Sequence, residues 1–201
     1  MEVSTAIENR RSIRKFKSDP VPEQHIRQLL AAARLAPSGS NLQPTRYVVI
    51  KSQAAKDKIA GYTLPFVTKA PVIIVCCTDT GVWATAPERW LELKGSGAFK
   101  DNPQDVEKIL EYKKRGPLDK ETAKAYSWLN AAIAVDHITL KAVELGLGSC
   151  WIGIADREKI KEVLELDDRY EIVALLPVGY PDQDPAPRPR IAADELLLKE
   201  L

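Results

Sequence analysis

Four cations crowd into six positions of the stretch NRRSIRKF, Asn9 to Phe16: Arg10, Arg11, Arg14 and Lys15, with Ser12 among them. Guanidinium forks match phosphate oxygens in paired hydrogen bonds, so a cluster of this kind suits an oxyanion. A second basic piece stands near the other end of the chain, Arg188 and Arg190 within PAPRPR, where Pro185, Pro187 and Pro189 restrict the backbone. Arginines on a stiffened backbone lose less conformational entropy when they close on an anion. Charge clusters are more often solvated faces than sites, and each piece alone is a weak signal. If the fold brings the two ends together, they make a phosphate pocket.

Two further stretches could serve a ligand. PSGSNLQP supplies Ser38, Ser40, Asn41 and Gln43 on a loop held between Pro37 and Pro44. A helix-ending turn accounts for Pro37 and Gly39, but not for so many hydroxyl and amide groups ahead of a strand. In GSCWIG, Gly148 and Gly153 let backbone approach a flat ligand closely.

Other chemistries are excluded. GLGSCW has glycines at 146 and 148 but Trp151 at the third glycine position, and it follows a helical pattern where a dinucleotide fingerprint follows a strand. There is no phosphate-binding G-x-x-x-x-G-K-[ST] loop, and KGSGA is not a nucleophile elbow. Cys76, Cys77 and Cys150 form no C-x-x-C pair, and His25 and His137 are far apart, so no zinc site is indicated. Cys76 and Cys77 are adjacent in an apolar run and should point to opposite faces of a strand as small buried hydrophobes. His137, within a long helical run, is expected in the core or an interface. A net charge of +1 argues against a general nucleic-acid binder. No window reaches the length of a membrane span and the start lacks the apolar core of a signal peptide, so the cytoplasm is the expected compartment.

The elements that must position these residues follow from periodicity and breakers. A short helix over 3–9 leads into the basic cluster. Pro22 is expected at the first position of a helix over 23–34, where Ile26, Leu29, Leu30 and Ala33 recur at helical spacing. RYVVIK and PVIIVCCTD read as strands, the second apolar on both faces as a central strand is. A helix is expected over 53–60 between them. The segment from Glu88 to Lys124 holds seventeen charged residues in 37 positions. It reads as a solvated helical excursion or lid rather than a separate domain, with Trp90, Phe99 and Tyr112 either choosing a substrate or packing beneath it. The run from Ala125 to Ser149 is the longest helical signal, apolar enough to be buried on most sides within one chain or between two. Gly146 and Gly148 are expected to end it. A short strand or extended loop at SCWIGIAD, a helix over 157–164, a strand at EIVALLPVGY and a final short helix after Ile191 complete the order. Interleaved helices and about four strands predict an α/β or α+β sandwich in one domain, 1–201.

Taken in order, RRSIRKF, APSGSNLQP, ELGLGSCWIGIAD and LLPVGYPDQDPAPRPR resemble the FMN-dependent nitroreductase family nearly end to end. The resemblance implies an α+β fold, a three-layer α/β/α sandwich with a central, mainly antiparallel sheet. It also implies an intertwined homodimer with FMN at the subunit interface. By it, Arg10, Arg11, Ser12 and Arg14 lie along the FMN, holding its phosphate, its ribityl chain and the pyrimidine edge of its ring. Arg188 and Arg190 close on the phosphate. Pro37, Ser38, Gly39, Asn41 and Gln43 form the loop that reaches the partner's flavin. Backbone N–H groups of Ile152 and Gly153 face the N5 and O4 edge; some relatives have a glutamate where Ile152 stands. Many relatives also have a second serine at the Gly39 position and tryptophan at Thr45. The implied activity is transfer of hydride from NADH or NADPH through FMN to a nitroaromatic, quinone or other flat small-molecule acceptor by a ping-pong cycle. Flavin N5 carries the chemistry, with no catalytic side chain and no metal. Alternatives are a flavin-binding or flavin-delivery protein with little turnover, and a family relative performing reductive dehalogenation or flavin destruction.

Overall fold

The computed structural model describes residues 1–113 and 119–201, and within the helix over 103–113 it leaves the side chains of Pro103, Asp105, Leu110, Tyr112 and Lys113 undescribed. In chain order the elements are α1 (Val3–Asn9), α2 (Glu23–Arg34), β1 (Thr45–Ile50), α3 (Gln53–Ile59), β2 (Val72–Asp79), α4 (Ala86–Gly95), α5 (Pro103–Lys113), α6 (Lys120–Glu144), β3 (Gly148–Ser149), α7 (Arg157–Val163) and β4 (Tyr170–Gly179). Short 3-10 turns occur at Gly39–Asn41, Ala60–Tyr62, Thr80–Thr85 and Ala193–Leu196. Among the described residues no helix is long and apolar enough to cross a membrane.

The four strands form one sheet in the order β1-β2-β4-β3, every neighbouring pair antiparallel. β2 is buried along all of its length, as an apolar run in the middle of a sheet must be. Each face of the sheet carries its own core. On one, Ile74, Cys76, Leu176 and Val178 pack with Leu29 of α2 and Val135 and Ile138 of α6. On the other, Ile73, Val75, Cys77 and Leu175 pack with Ile59 of α3 and Ile160 of α7. Helices on both faces of an antiparallel sheet make the α+β three-layer arrangement. Cys76 and Cys77 indeed fall on opposite faces, although the β2–β4 register shifts between them. All three cysteines are buried and unpaired.

Local chemistry explains the boundaries. Ser52, Asp119 and Asp156 cap α3, α6 and α7 by accepting a backbone N–H three residues on. Pro22 is the extended N-cap of α2 rather than its first helical residue; its fixed φ suits either place. Gly146, with φ +70°, ends α6 in the left-handed conformation. Gly148 does not end the helix: it opens β3.

The charged excursion resolves into α4, α5 and the start of α6. Trp90 of α4 is buried, and Phe99 packs against it with ring centroids 5.0 Å apart. The Tyr112 side chain and residues 114–118, which were part of the expected lid, lie outside the described residues. α6 is only partly covered: Val135, Ile138 and Ala142 are buried, while Leu129 stays 59% exposed. Val3, Ile7 and Leu35 are also largely exposed, and a hollow lined by Val3, Ala6, Leu35, His137 and Leu140 joins α1, α2 and α6.

Candidate functional site

The basic cluster is built onto the sheet by backbone pairing. Ile13 donates its N–H to Ser149 O at 2.9 Å, and Ser12 bridges Ser149 in parallel, so residues 12–13 extend the sheet past β3. Farther along, Lys17 donates to Tyr180 O and Asp182 donates to Lys15 O, with Phe16 opposite Pro181. A Lys15–Asp182 ion pair at 2.7 Å closes the seam. The early and late parts of the chain therefore do meet.

Gly148 makes the seam possible. A Cβ there would lie 2.5 Å from Ile13 Cγ1 and 2.8 Å from Ile13 Cβ, far inside contact distance. With a methyl there, Ile13 could not bury itself over β3 at 5% exposure.

Beside the seam, Asn9, Arg10, Arg11, Gly148, Ser149 and Asp184 are among the residues lining a hollow of about 350 Å³. Arg10, Arg11 and Arg14 have no carboxylate within ion-pair distance among the described residues. Among the described residues Arg11 donates to the carbonyls of Glu8 and Arg10 alone, and Arg14 to that of Ser12 alone. Burial pushes the Cys150 thiol up, against the pull of Arg14, a hydrogen bond from Ser12, and Arg10. Ser12 bridges Ser149 and Arg10 lines the same hollow as Ser149, so both stand at the start of the backbone that leads on to Ile152 and Gly153. The basic cluster and the backbone over 149–153 form one strip.

Two of the expected contacts are not offered by the single chain. Ile152 cannot present its N–H to a ligand, because it donates to Leu175 O at 2.9 Å and accepts from Leu175 N–H at 3.0 Å. It completes an antiparallel bridge to β4, which uses both of its backbone groups. Gly153, next in the chain, has no partner for its N–H among the described residues. Arg188 and Arg190 do not reach the hollow either. Arg190 donates to the carbonyls of Arg188 and Pro189, and both arginines are exposed. Beyond Asp182, Pro185, Pro187 and Pro189 have no N–H with which to tie the segment down. What the C-terminal segment brings to the hollow is Pro181, Gln183 and Asp184.

The loop over 37–43 sits elsewhere. Ser40, Asn41 and Gln43 all adopt positive φ, at 52°, 53° and 51°, a costly run of left-handed conformations for residues other than glycine. Ser38 Oγ accepts the Gln43 N–H and Asn130 Oδ1 accepts the Gly39 N–H, each at 2.9 Å. Asn130 in turn donates to Tyr126 O. Leu42 is buried and anchors the loop's end. A Cβ on Gly39 would fall 1.5 Å from the Tyr126 hydroxyl, so any larger residue there requires the tyrosine ring to move. Pro37, Ser38 and Gln43 line a second hollow, with Arg34, Tyr47 and Asn130, that shares no residue with the first. One chain does not bring this loop to Arg10.

Tyr126 and Asn130 escape a motif search because they lie far from the loop in sequence. The signal available was a single amide within WLNAAIA, on an otherwise apolar helix face.

The family described as the Nitroreductase family matches residues 7–180. A protein of Thermus thermophilus named NADH dehydrogenase is 30% identical over 200 residues, covering 98% of this chain and 96% of the relative. A nitroreductase family protein of Streptococcus pneumoniae superposes with a TM-score of 0.79 at 28% identity, over 99% of this chain and 100% of that one. A structure from Exiguobacterium sibiricum, solved in complex with FMN, superposes with a TM-score of 0.81 at 22% identity, over 100% of this chain and 98% of that one.

Proposed function

The chain belongs to the nitroreductase family, and from that premise we propose that it is an FMN-dependent NAD(P)H oxidoreductase working on nitroaromatics, quinones or similar flat acceptors. The observation that carries the reading is the continuous strip from Arg10 through Ser149 to Gly153. It joins arginines that have no carboxylate partner among the described residues to a backbone N–H with no partner there. The groups present suit FMN. Its phosphate is close to a dianion, and Arg10, Arg11, Ser12 and Arg14 offer cations and a hydroxyl for it and the ribityl chain. Gly153 offers a donor to the N5 and O4 edge of the ring. Bound there, FMN supplies the capacity to accept hydride from NADH or NADPH and to pass it on.

The chain's own part is to bind, orient and shield. The arginines fix the phosphate end, and the Gly153 N–H sets the ring's in-plane orientation. No side chain is required as acid or base. With no dinucleotide fingerprint, the nicotinamide occupies the same cleft only transiently, as a ping-pong order requires.

The functional unit is a homodimer in this reading, in the cytoplasm. One chain offers two half-sites, the strip at 10–14 with 149–153 and the strained loop at 37–43, and a second copy is needed to lay Pro37, Ser38, Gly39, Asn41 and Gln43 against the flavin. The exposed Val3, Ile7, Leu35 and Leu129 provide an apolar face for that copy. In the dimer, Arg188 and Arg190 swing from their present exposed positions to the phosphate.

The test is direct. Purified protein should be yellow or take up added FMN, sediment as a dimer, and lose its flavin absorbance within seconds of anaerobic mixing with NADH or NADPH. Absorbance should return when menadione or nitrofurazone is added. Protein that stays colourless in the presence of FMN ends the proposal. Flavin that binds but is bleached by neither donor leaves a carrier and not an enzyme.

A further inference from the structure

The loop that carries Gly153 is pinned twice and open once. Ile152 is tied to Leu175 in both directions, and Asp156 donates to Tyr62 O at 2.9 Å while Ala155 bridges Thr63. Between these anchors, Gly153 and Ile154 have no backbone N–H partner among the described residues, and Ile154 is 74% exposed. One side chain spans the open stretch: Arg157, the first residue of α7, donates Nη2 to Gly153 O at 2.9 Å.

That guanidinium is held from the other side as well. It lies 5.1 Å over the ring of Trp128 on α6. Lys124 Nζ stands 5.6 Å from the same ring, but Lys124 is neutralised by Glu171 at 3.2 Å. Arg157 has no carboxylate within ion-pair distance among the described residues. It also sits in the first turn of a helix, where the backbone dipoles disfavour a cation. A cation–π contact and a carbonyl thus fix a positive charge with no carboxylate partner at the residue whose N–H is open.

We propose that Arg157 is a positioning residue that raises the reduction potential of the flavin, by locking Gly153 in place and keeping a fixed cation beside the ring. The inference rests on the flavin reading above. Two electrons and a proton arrive as hydride from the nicotinamide, which leaves oxidised, and the reduced ring carries a negative charge at neutral pH. A fixed cation stabilises that charge relative to the neutral oxidised ring, in a geometry that needs no reorganisation. Arginine stays protonated throughout, so no proton passes through it. Trp128 acts through Arg157, by keeping the guanidinium from turning to solvent.

The test is the midpoint potential of the bound flavin, measured by dye equilibration on FMN-loaded Arg157→Gln, Arg157→Lys and Trp128→Leu proteins. Arg157→Gln should hold oxidised FMN as tightly as the wild type but reduced FMN roughly tenfold more weakly, a fall of about 30 mV for a two-electron couple. Arg157→Lys, which keeps the charge without the guanidinium fork, should recover much of that fall. Trp128→Leu should move the potential in the same direction as Arg157→Gln and keeps the question answerable if the glutamine protein does not fold. A flavin that is bound with an unmoved potential in both Arg157→Gln and Trp128→Leu overturns this inference alone, as does an equal fall in the lysine and glutamine proteins. Failure of the wild-type chain to take up FMN removes the flavin reading and this inference together.

Discussion

Replacing Gly148 with alanine tests whether the seam between residues 12–17 and β3 positions the basic cluster. The added Cβ would meet Ile13 Cγ1, Cβ and Cγ2 at 2.5, 2.8 and 3.0 Å. Ordinary carbon contacts lie near 3.5–4.0 Å, so an overlap of about 1 Å has to be relieved. Rotating Ile13 cannot relieve it, because the Cβ itself is too close and a β-branched side chain is stiff at χ1. The backbone of residues 12–14 must therefore lift off β3, straining the Ile13 N–H to Ser149 O bond. Overpacking of this size costs about 1–3 kcal/mol, which for a domain of this length lowers Tm by roughly 2–12 °C. The same shift moves Ser12 and Arg14 off the strip, so FMN should be retained less well than the loss of stability alone explains. Calorimetry of the flavin-free protein and flavin release followed by fluorescence measure the two effects. Ile13→Ala makes room for the methyl, so Gly148→Ala should cost close to nothing in that background. A Gly148→Ala protein with unchanged Tm and unchanged FMN release, or an equal cost with and without Ile13, refutes the reasoning.

Three further outcomes are expected. Gly39→Ser should destabilise the 37–43 loop, because its Cβ falls on the Tyr126 hydroxyl, and Tyr126→Ala in the same protein should recover most of the loss in chemical denaturation. Changing both Arg188 and Arg190 to alanine should weaken FMN retention, increasingly so as salt is raised; unchanged affinity at every salt concentration removes them from the phosphate. Burial pushes the Cys77 thiol up from its ordinary value of 9.0 to about 12. The folded state then holds a proton that the unfolded chain releases above that ordinary value. This contribution to stability is complete below about pH 9 and is lost as pH climbs through 12, so urea midpoints should fall across that window. Alkylation by iodoacetamide at pH 8 should be negligible until the chain unfolds.

The layered fold was readable because its signals are local and repeated. The six apolar residues Val72 to Cys77 of β2 announce a central strand, and Ile26, Leu29 and Ala33 at helical spacing announce the buried face of α2. The strip of the site was readable as residue types but not as geometry. Nothing near Ile152 in the sequence says that its N–H is consumed by Leu175, since that pairing depends on where β4 falls in the sheet. Arg188 and Arg190 looked suited to meet Arg10 because both pieces are basic, yet a proline-rich segment short of N–H groups is fixed by what it docks against and not by its own bonds. Tyr126 shapes the loop through one close approach to Gly39, a contact between residues 87 positions apart that no periodicity encodes.

The bridge between Ser12 and Ser149 has a consequence for how the protein is made. The two residues are separated by about 137 positions, and the strand that supports Ser149 is β4, the last of the sheet. β4 ends at Gly179, so at translation rates of about 5–20 residues per second the arginines wait roughly 8–33 s after they are synthesised before the edge they pair with exists. During that interval the most strongly basic stretch of the nascent chain is unpaired and available to ribosomal RNA or to chaperones. Anything fused in front of Met1 rides on the same waiting segment and ends up beside the hollow between α1, α2 and α6 once the sheet closes.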